Sequence, residues 1–486
     1  MENPSETVRD LPRNVAGRRI LLISNRPPYT MRMRKGEVDL VRGAGGLVTA
    51  LDPVMKKSGG VWFGLVRDEK KDLPAEVRVE GDDATSPGYN IQYITVDSKY
   101  IDGFYRGVSN RTLWPLFHCF LGNTVFKKEH WRTYLHVNWR VYQSIVEKIG
   151  EGDLVWVQDY HFIPLPKLLR ESSRRFGIGY FLHIPFPPPD ILRALPWATE
   201  VLEGILGSDI VGFHTMGYLR NFFDSVEHLL HAEVDREKNE VVYAGRRTRC
   251  GAFPISIDYQ RFKDVALSTQ TGQRVRGIRD AFGVRNIAIG VDRLDYTKGV
   301  VERLLALEKM IERYPDLRKD FVFIQLTVPS RENVAEYRTM RRTIDEIVGR
   351  INGRFAEGGW VPIHYYYRSL KFDTLVAYYR AADMGVVTPL RDGMNLVAKE
   401  YVVSKCGLPG SVVLSELAGA CDELVESHLV NPNDIDSVAD TMYEALTLPE
   451  DRKAENIAKL NKRIKQHDIY AWLHSFLGEW AKMIER

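Results

Sequence analysis

The stretch Met384-Gly385-Val386-Val387-Thr388-Pro389-Leu390-Arg391-Asp392-Gly393-Met394-Asn395-Leu396-Val397-Ala398-Lys399-Glu400 decides how this chain folds. Its first four residues are a short, wholly apolar run that reads as a strand. A helical pattern begins near Leu396, and a turn carrying an acid and a glycine lies between. The turn has the chemistry of a sugar-nucleotide site. Asp392 can accept hydrogen bonds from sugar hydroxyls, and Gly393 lets backbone approach a ligand closely. The amides of residues 395–397 open a helix where a phosphate can rest. Glu400, one turn further on, can hold a pair of ribose hydroxyls.

The same alternation of strand and helix runs outward over nearly the whole length. Apolar or aromatic runs at 19–24, 60–64, 90–96, 154–157, 179–183 and 209–213 read as strands in the first half. Those at 286–291, 321–326, 363–367, 384–387 and 411–415 do so in the second, with helical patterns such as 300–314 and 332–351 between them. Near-continuous apolar strands separated by helices predict parallel sheets buried on both faces. Two such series predict an α/β chain of two doubly wound, Rossmann-like domains. Residues 254–258 and the polar stretch to 277 read as a linker. Ligands of open α/β sheets bind at the carboxyl ends of the strands. The notable polar residues fall there in both halves, which points to a site in a cleft between the domains.

Composition narrows the function. The chain has 486 residues, 44% hydrophobic and 27% charged, with a formal net charge of +3. Nearly balanced charge gives no basic field for nucleic acid, so any anion site must be local. Cys119, Cys250, Cys406 and Cys421 are scattered and read as thiols in a reducing compartment. No apolar run approaches the roughly 18 residues of a membrane helix. Residues 1–17 are polar and lack a signal-peptide core, so a frayed tail and a cytoplasmic location are expected.

Other carboxyl-end loops carry candidate groups. In Arg293-Leu294-Asp295-Tyr296-Thr297-Lys298-Gly299, Arg293 and Lys298 can converge on a diphosphate and neutralise the charge of a departing nucleotide. A solvated turn with a helix-start lysine would look the same in isolation. Ser330-Arg331 could bind a second phosphate, or cap a helix beside an exposed arginine. Gly43-Ala44-Gly45-Gly46 could turn amides toward a phosphate, but it is not GxGxxG, which disfavours a nicotinamide cofactor. Asp159 could polarise an acceptor hydroxyl and His183 could bond a sugar hydroxyl, while His161 reads as structural. Tyr105 and Trp114 could stack on a sugar and donate to phosphate, or serve as core aromatics. No HExxH, DxD or Cys/His cluster accompanies these loops, so no metal site is expected.

Taken in order, residues 293–299, 388–400, His183-Ile184-Pro185-Phe186-Pro187 and Gly45-Gly46 resemble the trehalose-6-phosphate synthase family, over about residues 20–480. These are retaining glycosyltransferases of the two-Rossmann (GT-B) type, a family that also contains glucosylglycerol-phosphate synthases. The resemblance implies a tail at 1–18, an acceptor-binding domain at 19–255, a nucleotide-sugar domain at 256–466 and a final helix at 467–486 returning to the first domain. It implies nucleotide-diphosphate glucose as co-substrate, no metal or other cofactor, and glucose 6-phosphate as acceptor. Glycerol 3-phosphate or a pseudo-sugar phosphate is the alternative acceptor, and the nucleobase is left open. Only small-molecule partners are implied, with no nucleic acid and no membrane; a homo-oligomer is compatible.

Carried over by residue, the donor set is Gly45, Gly46, His183, Arg293, Lys298, Asp392, Gly393, Met394, Asn395, Leu396, Val397 and Glu400. The acceptor set is Arg26, Trp62, Tyr105, Trp114, Asp159 and Arg331, and the catalytic groups are Arg293, Lys298, Asp159 and His183. The chain departs from the family at Gln158, where histidine is usual, in the Pro27-Pro28-Tyr29 loop, and in the stretch Phe117-His118-Cys119-Phe120.

Overall fold

The computed structural model describes residues 15, 17–34, 37–43, 46–67, 74–81, 86–172, 174–330 and 335–484. Most of the expected tail, Gly45 and Arg331 lie outside these; Val15 is buried. The chain forms two compact units, one of Met1–Ile255 with Tyr470–Arg486 and the other of Ser256–Ile469.

In the first unit the strands are β1 (Ile20–Ser24), β2 (Tyr29–Arg34), β3 (Glu37–Arg42), β4 (Val61–Arg67), β5 (Glu76–Val79), β6 (Tyr89–Val96), β7 (Leu154–Gln158), β8 (Gly177–Phe181), β9 (Ile210–Phe213), β10 (Glu233–Asp235), β11 (Glu240–Tyr243) and β12 (Arg246–Ala252). All but the hairpin β2-β3 join one sheet, in the order β10-β11-β12-β9-β8-β7-β1-β4-β6-β5. The block from β12 to β6 is parallel, with antiparallel strands at both margins. β1, β7, β8 and β9 are buried along their full length, as strands covered on both faces must be. The helix Ile469–Ile484 supplies part of that cover. Its Trp472 and Phe476 stack on Trp156 at 5.7 and 5.0 Å between centroids. Trp480 passes so close to Gly179 that a Cβ there would stand 2.9 Å from its ring.

The second unit contains β13 (Asn286–Arg293), β14 (Phe321–Val328), β15 (Ile363–Tyr367), β16 (Met384–Val387), β17 (Ser411–Ser415) and β18 (His428–Val430). The order is β15-β14-β13-β16-β17-β18 and every pair is parallel. This is a doubly wound sheet whose direction of winding reverses between β13 and β16. Leu304, Leu307 and Met310 of the helix Val300–Arg313 pack with Phe321, Phe323, Met384 and Val413 in its core.

One expectation is overturned. Residues 259–277 are not a linker: all but Ser268 belong to the helices Tyr259–Leu267 and Thr269–Phe282. Asp258 and Ser268 accept the first free amides of these helices through their side chains, and Gly283 ends the second at φ +61°. Only residues 254–258 stay extended before the helix begins.

Candidate active site

In the second unit, β13 pairs with β16 only at Ala288 and Ile289, against Met384 and Gly385. Beyond that point the strands part, and the crevice that opens is the switch point where doubly wound sheets bind ligands. Two loops enter it. The loop after β13 is ordered by Asp295, whose carboxylate accepts from the amide and hydroxyl of Thr297, both at 3.1 Å. Gly299, at φ +63°, then turns the chain into the helix Val300–Arg313; a Cβ there would sit 2.2 Å from Thr388 O. The loop after β16 is tied to the first by the Leu390 amide, which donates to Thr297 O at 2.8 Å.

These ties bring Lys298 and Asp392 together. The Lys298 ammonium lies 2.5 Å from Asp392 Oδ2, with both side chains largely buried. Asn395 Nδ2 donates to the same oxygen at 3.1 Å. Asn395 stands at the start of the helix Leu396–Ser404, at φ +71°, a conformation that a non-glycine residue adopts at a cost. Asparagine is a good helix cap, yet its side chain is turned to Asp392 and the helix has no side-chain cap. The opening amides of that helix, from Leu396 and Val397 on, are therefore left for an outside acceptor. Gly393 and Met394 are buried, and the Met394 carbonyl accepts from the Ala420 amide at 2.8 Å. Glu400 accepts from the Tyr379 hydroxyl at 2.9 Å, and burial raises its carboxyl above the ordinary range. Arg293 closes β13 as an exposed residue.

The first unit reverses its winding between β1 and β7. Arg26 follows β1, and its Nη2 donates to the Tyr105 hydroxyl at 3.1 Å. Asp159 follows β7 at φ +67°, a strained conformation for aspartate. It is stitched to β8, its amide donating to Phe181 O at 2.7 Å and its carboxylate accepting the His183 amide at 3.2 Å. The His183 ring meets Gln158 Oε1 through Nε2 at 2.8 Å. Burial, with His214 beside it, holds that imidazole well below its usual pKa and therefore neutral.

Tyr105 and Trp114 come from an unusual segment. Residues Asp102–Leu113 form a widened π-helix, in which Trp114 N–H donates to Ser109 O. The Ser109 hydroxyl and Asn110 Nδ2 bond the carbonyls five residues earlier, at 2.9 and 2.7 Å. Such turns are rare and recur at functional sites. The Tyr105 ring lies parallel to His161, and the largely buried Trp114 lies against Tyr160 and His118. Trp62 is fully enclosed, its indole N–H donating to Ser24 Oγ at 2.8 Å, so it supports the β1 loop from behind. Gly46 begins the helix Gly46–Ser58.

Sequence reasoning missed two contributors: Gln158, quoted only as a departure, and Arg303, which reads as an ordinary helix arginine. Among the described residues no three His, Cys, Asp or Glu side chains converge as a metal ion needs, and no helix is long and apolar enough to cross a membrane. None of the four cysteines is in a disulfide.

Residues 18–482 match the model of Glycosyltransferase family 20. A bifunctional trehalose-6-phosphate synthase/phosphatase of Thermoproteus tenax is 40% identical over 474 residues, which is 94% of this chain but only 63% of that protein. An α,α-trehalose-phosphate synthase (UDP-forming) from Burkholderia xenovorans, in complex with glucose-6-phosphate, superposes with a TM-score of 0.86. It is 33% identical, over 95% of this chain and 99% of its own. A structure from E. coli bound with UDP-2-fluoro glucose gives 0.87 at 31% identity, over 96% and 99% of the two chains. The chain belongs to glycosyltransferase family 20.

Proposed function

We propose that the chain is an α,α-trehalose-phosphate synthase. It moves glucose, with retention, from UDP-glucose to glucose 6-phosphate and releases trehalose 6-phosphate and UDP. The observation that carries this reading is a likeness spanning at least 95% of the chain to structures holding glucose-6-phosphate in one case and UDP-2-fluoro glucose in another. The crevice chemistry fits the donor. Arg293 and Lys298 oppose the diphosphate charge, the uncapped amides after Asn395 receive a phosphate, and Glu400 holds the ribose. Arg26 and Tyr105 fit the acceptor phosphate.

In the reaction the acceptor hydroxyl attacks the anomeric carbon on the face from which the diphosphate departs. The carbon–oxygen bond to the diphosphate breaks through an oxocarbenium-like state, and the acceptor proton passes to the leaving phosphate oxygen. The protein positions the partners and stabilises charge, and no carboxylate pair is needed as nucleophile and acid. Two cations at the leaving group take the part that a divalent metal plays elsewhere, so a chelator leaves the rate unchanged. Substrates of this kind and four cysteines outside any disulfide suit a reducing cytoplasm. The test is a product screen of UDP-, ADP- and GDP-glucose against glucose 6-phosphate and glycerol 3-phosphate, with and without chelator. Trehalose 6-phosphate from the UDP donor supports the reading, and a glucosylglycerol phosphate as the main product overturns it.

A further inference from the structure

Arg303 is only 1% exposed although it lies in the first turn of the helix Val300–Arg313, where a cation opposes the helix dipole. Local structure gives no reason for it to be there; its contacts do. Nη1 pairs with Asp292 at the end of β13 and donates to Gln325 Oε1 of β14 at 3.1 Å. Nη2 donates to the Lys298 carbonyl at 3.2 Å, in the loop after β13. Nε donates to Thr388 Oγ1 at 3.0 Å, at the start of the loop after β16. Gly290 leaves the space, since a Cβ there would stand 2.7 Å from Nη1.

We infer that Arg303 is a positioning residue that fixes the Lys298 loop to the Asp392 loop across the switch point. A guanidinium presents donors in a rigid planar fork, so bonds to Thr388 and to the Lys298 carbonyl set one separation between the two loops. The ion pair with Asp292 anchors the fork to the sheet. An incoming diphosphate must draw the Lys298 ammonium from Asp392, and the fork keeps both backbones still while those side chains change partners. This role rests on the proposed glucosyl transfer, but the contacts that define it do not.

The experiment compares Arg303→Met and Thr388→Val with wild type by hydrogen–deuterium exchange and by steady-state kinetics in the full chain. Thr388→Val keeps shape and removes one acceptor, so it stays informative should Arg303→Met fail to fold. Exchange in peptides covering residues 296–299 and 389–392 rises at least about tenfold in each variant that folds, while the rest of the sheet keeps its protection. Because displacements of about 1 Å can cost 10²-fold in rate, kcat falls about 100-fold in Arg303→Met and about tenfold in Thr388→Val, with KM for glucose 6-phosphate unchanged. Arg303→Lys, which retains the Asp292 pair without the fork, falls between wild type and Arg303→Met. A variant that folds with loop exchange at the wild-type level, or with kcat within about threefold of wild type, overturns the inference. A wild type that transfers no glucose overturns the proposed function instead, and the exchange result then judges the clamp alone.

Discussion

Between β13 and β16 the second unit gathers paired charge, with Lys298 on Asp392 and the buried Arg303 on Asp292. Between β1 and β7 the first unit gathers rings and a lone cation: Tyr105 against His161, a His183 kept uncharged, and the exposed Arg26 on a tyrosine hydroxyl. Each crevice also contains a non-glycine residue at positive φ, Asn395 in one and Asp159 in the other. One topology thus carries two different linings. In the proposed reaction the diphosphate leaves from the charged crevice, where fixed charges stabilise what develops in the transition state. In the same proposal the sugar phosphate docks in the other crevice, against one solvent-facing cation and aromatic faces.

The sharpest way to break this contrast is Lys298→Ala. Removing one preorganised donor should lower kcat about 10²- to 10³-fold. A steady-state rate within a few-fold of wild type would mean that the charged crevice is not where the diphosphate departs. Arg26→Ala comes next. Loss of one charge-assisted bond should raise KM for glucose 6-phosphate about 10- to 100-fold and leave KM for UDP-glucose in place. Equal changes in both constants would erase the division of labour.

Glu400→Gln has a smaller effect and two readouts. It should raise KM for UDP-glucose about tenfold. It should also raise the melting temperature at pH 7, for a definite reason. Burial lifts the Glu400 carboxyl in the folded state, so as pH rises the unfolded chain gives up this proton first and stability falls. Glutamine escapes that loss, and the gap between the two melting curves should close below about pH 4, where both states hold the proton. A gap that widens on acidification contradicts the assignment. The mildest expectation concerns His183: the kcat profile should show no inflection near pH 6.5, the ordinary imidazole value, because the ring stays neutral there.

Most of the architecture was legible because the central strands are wholly apolar and bracketed by turns; Ile20-Leu21-Leu22-Ile23 and Met384-Gly385-Val386-Val387 admit few other readings. The marginal strands were not. β10 and β18 are three residues long and half-exposed, and neither carries a periodic signal. The helix Thr269–Phe282 was misread because among its residues only Thr271 is buried, so it has no apolar stripe. Its caps at Ser268 and Gly283 were the available signal. Strand ends and glycines marked Lys298, Asp392 and Glu400 as candidates. Arg303 escaped notice because its partner Thr388 is 85 residues away and only strand register brings them together. The widened turn carrying Tyr105 was equally invisible, since nothing in the order of side chains distinguishes five residues per hydrogen-bonded ring from four.

The last helix carries a consequence for how the molecule is made. Trp156 and Gly179 belong to strands synthesised early, yet their covering rings, Trp472, Phe476 and Trp480, leave the ribosome only after all of Ser256–Ile469. The first unit must wait with its central tryptophan uncovered while the second is translated. Severing the chain after Ile255 would therefore yield a half with an open, sticky sheet, and adding the helix Ile469–Ile484 back as a peptide is the natural remedy.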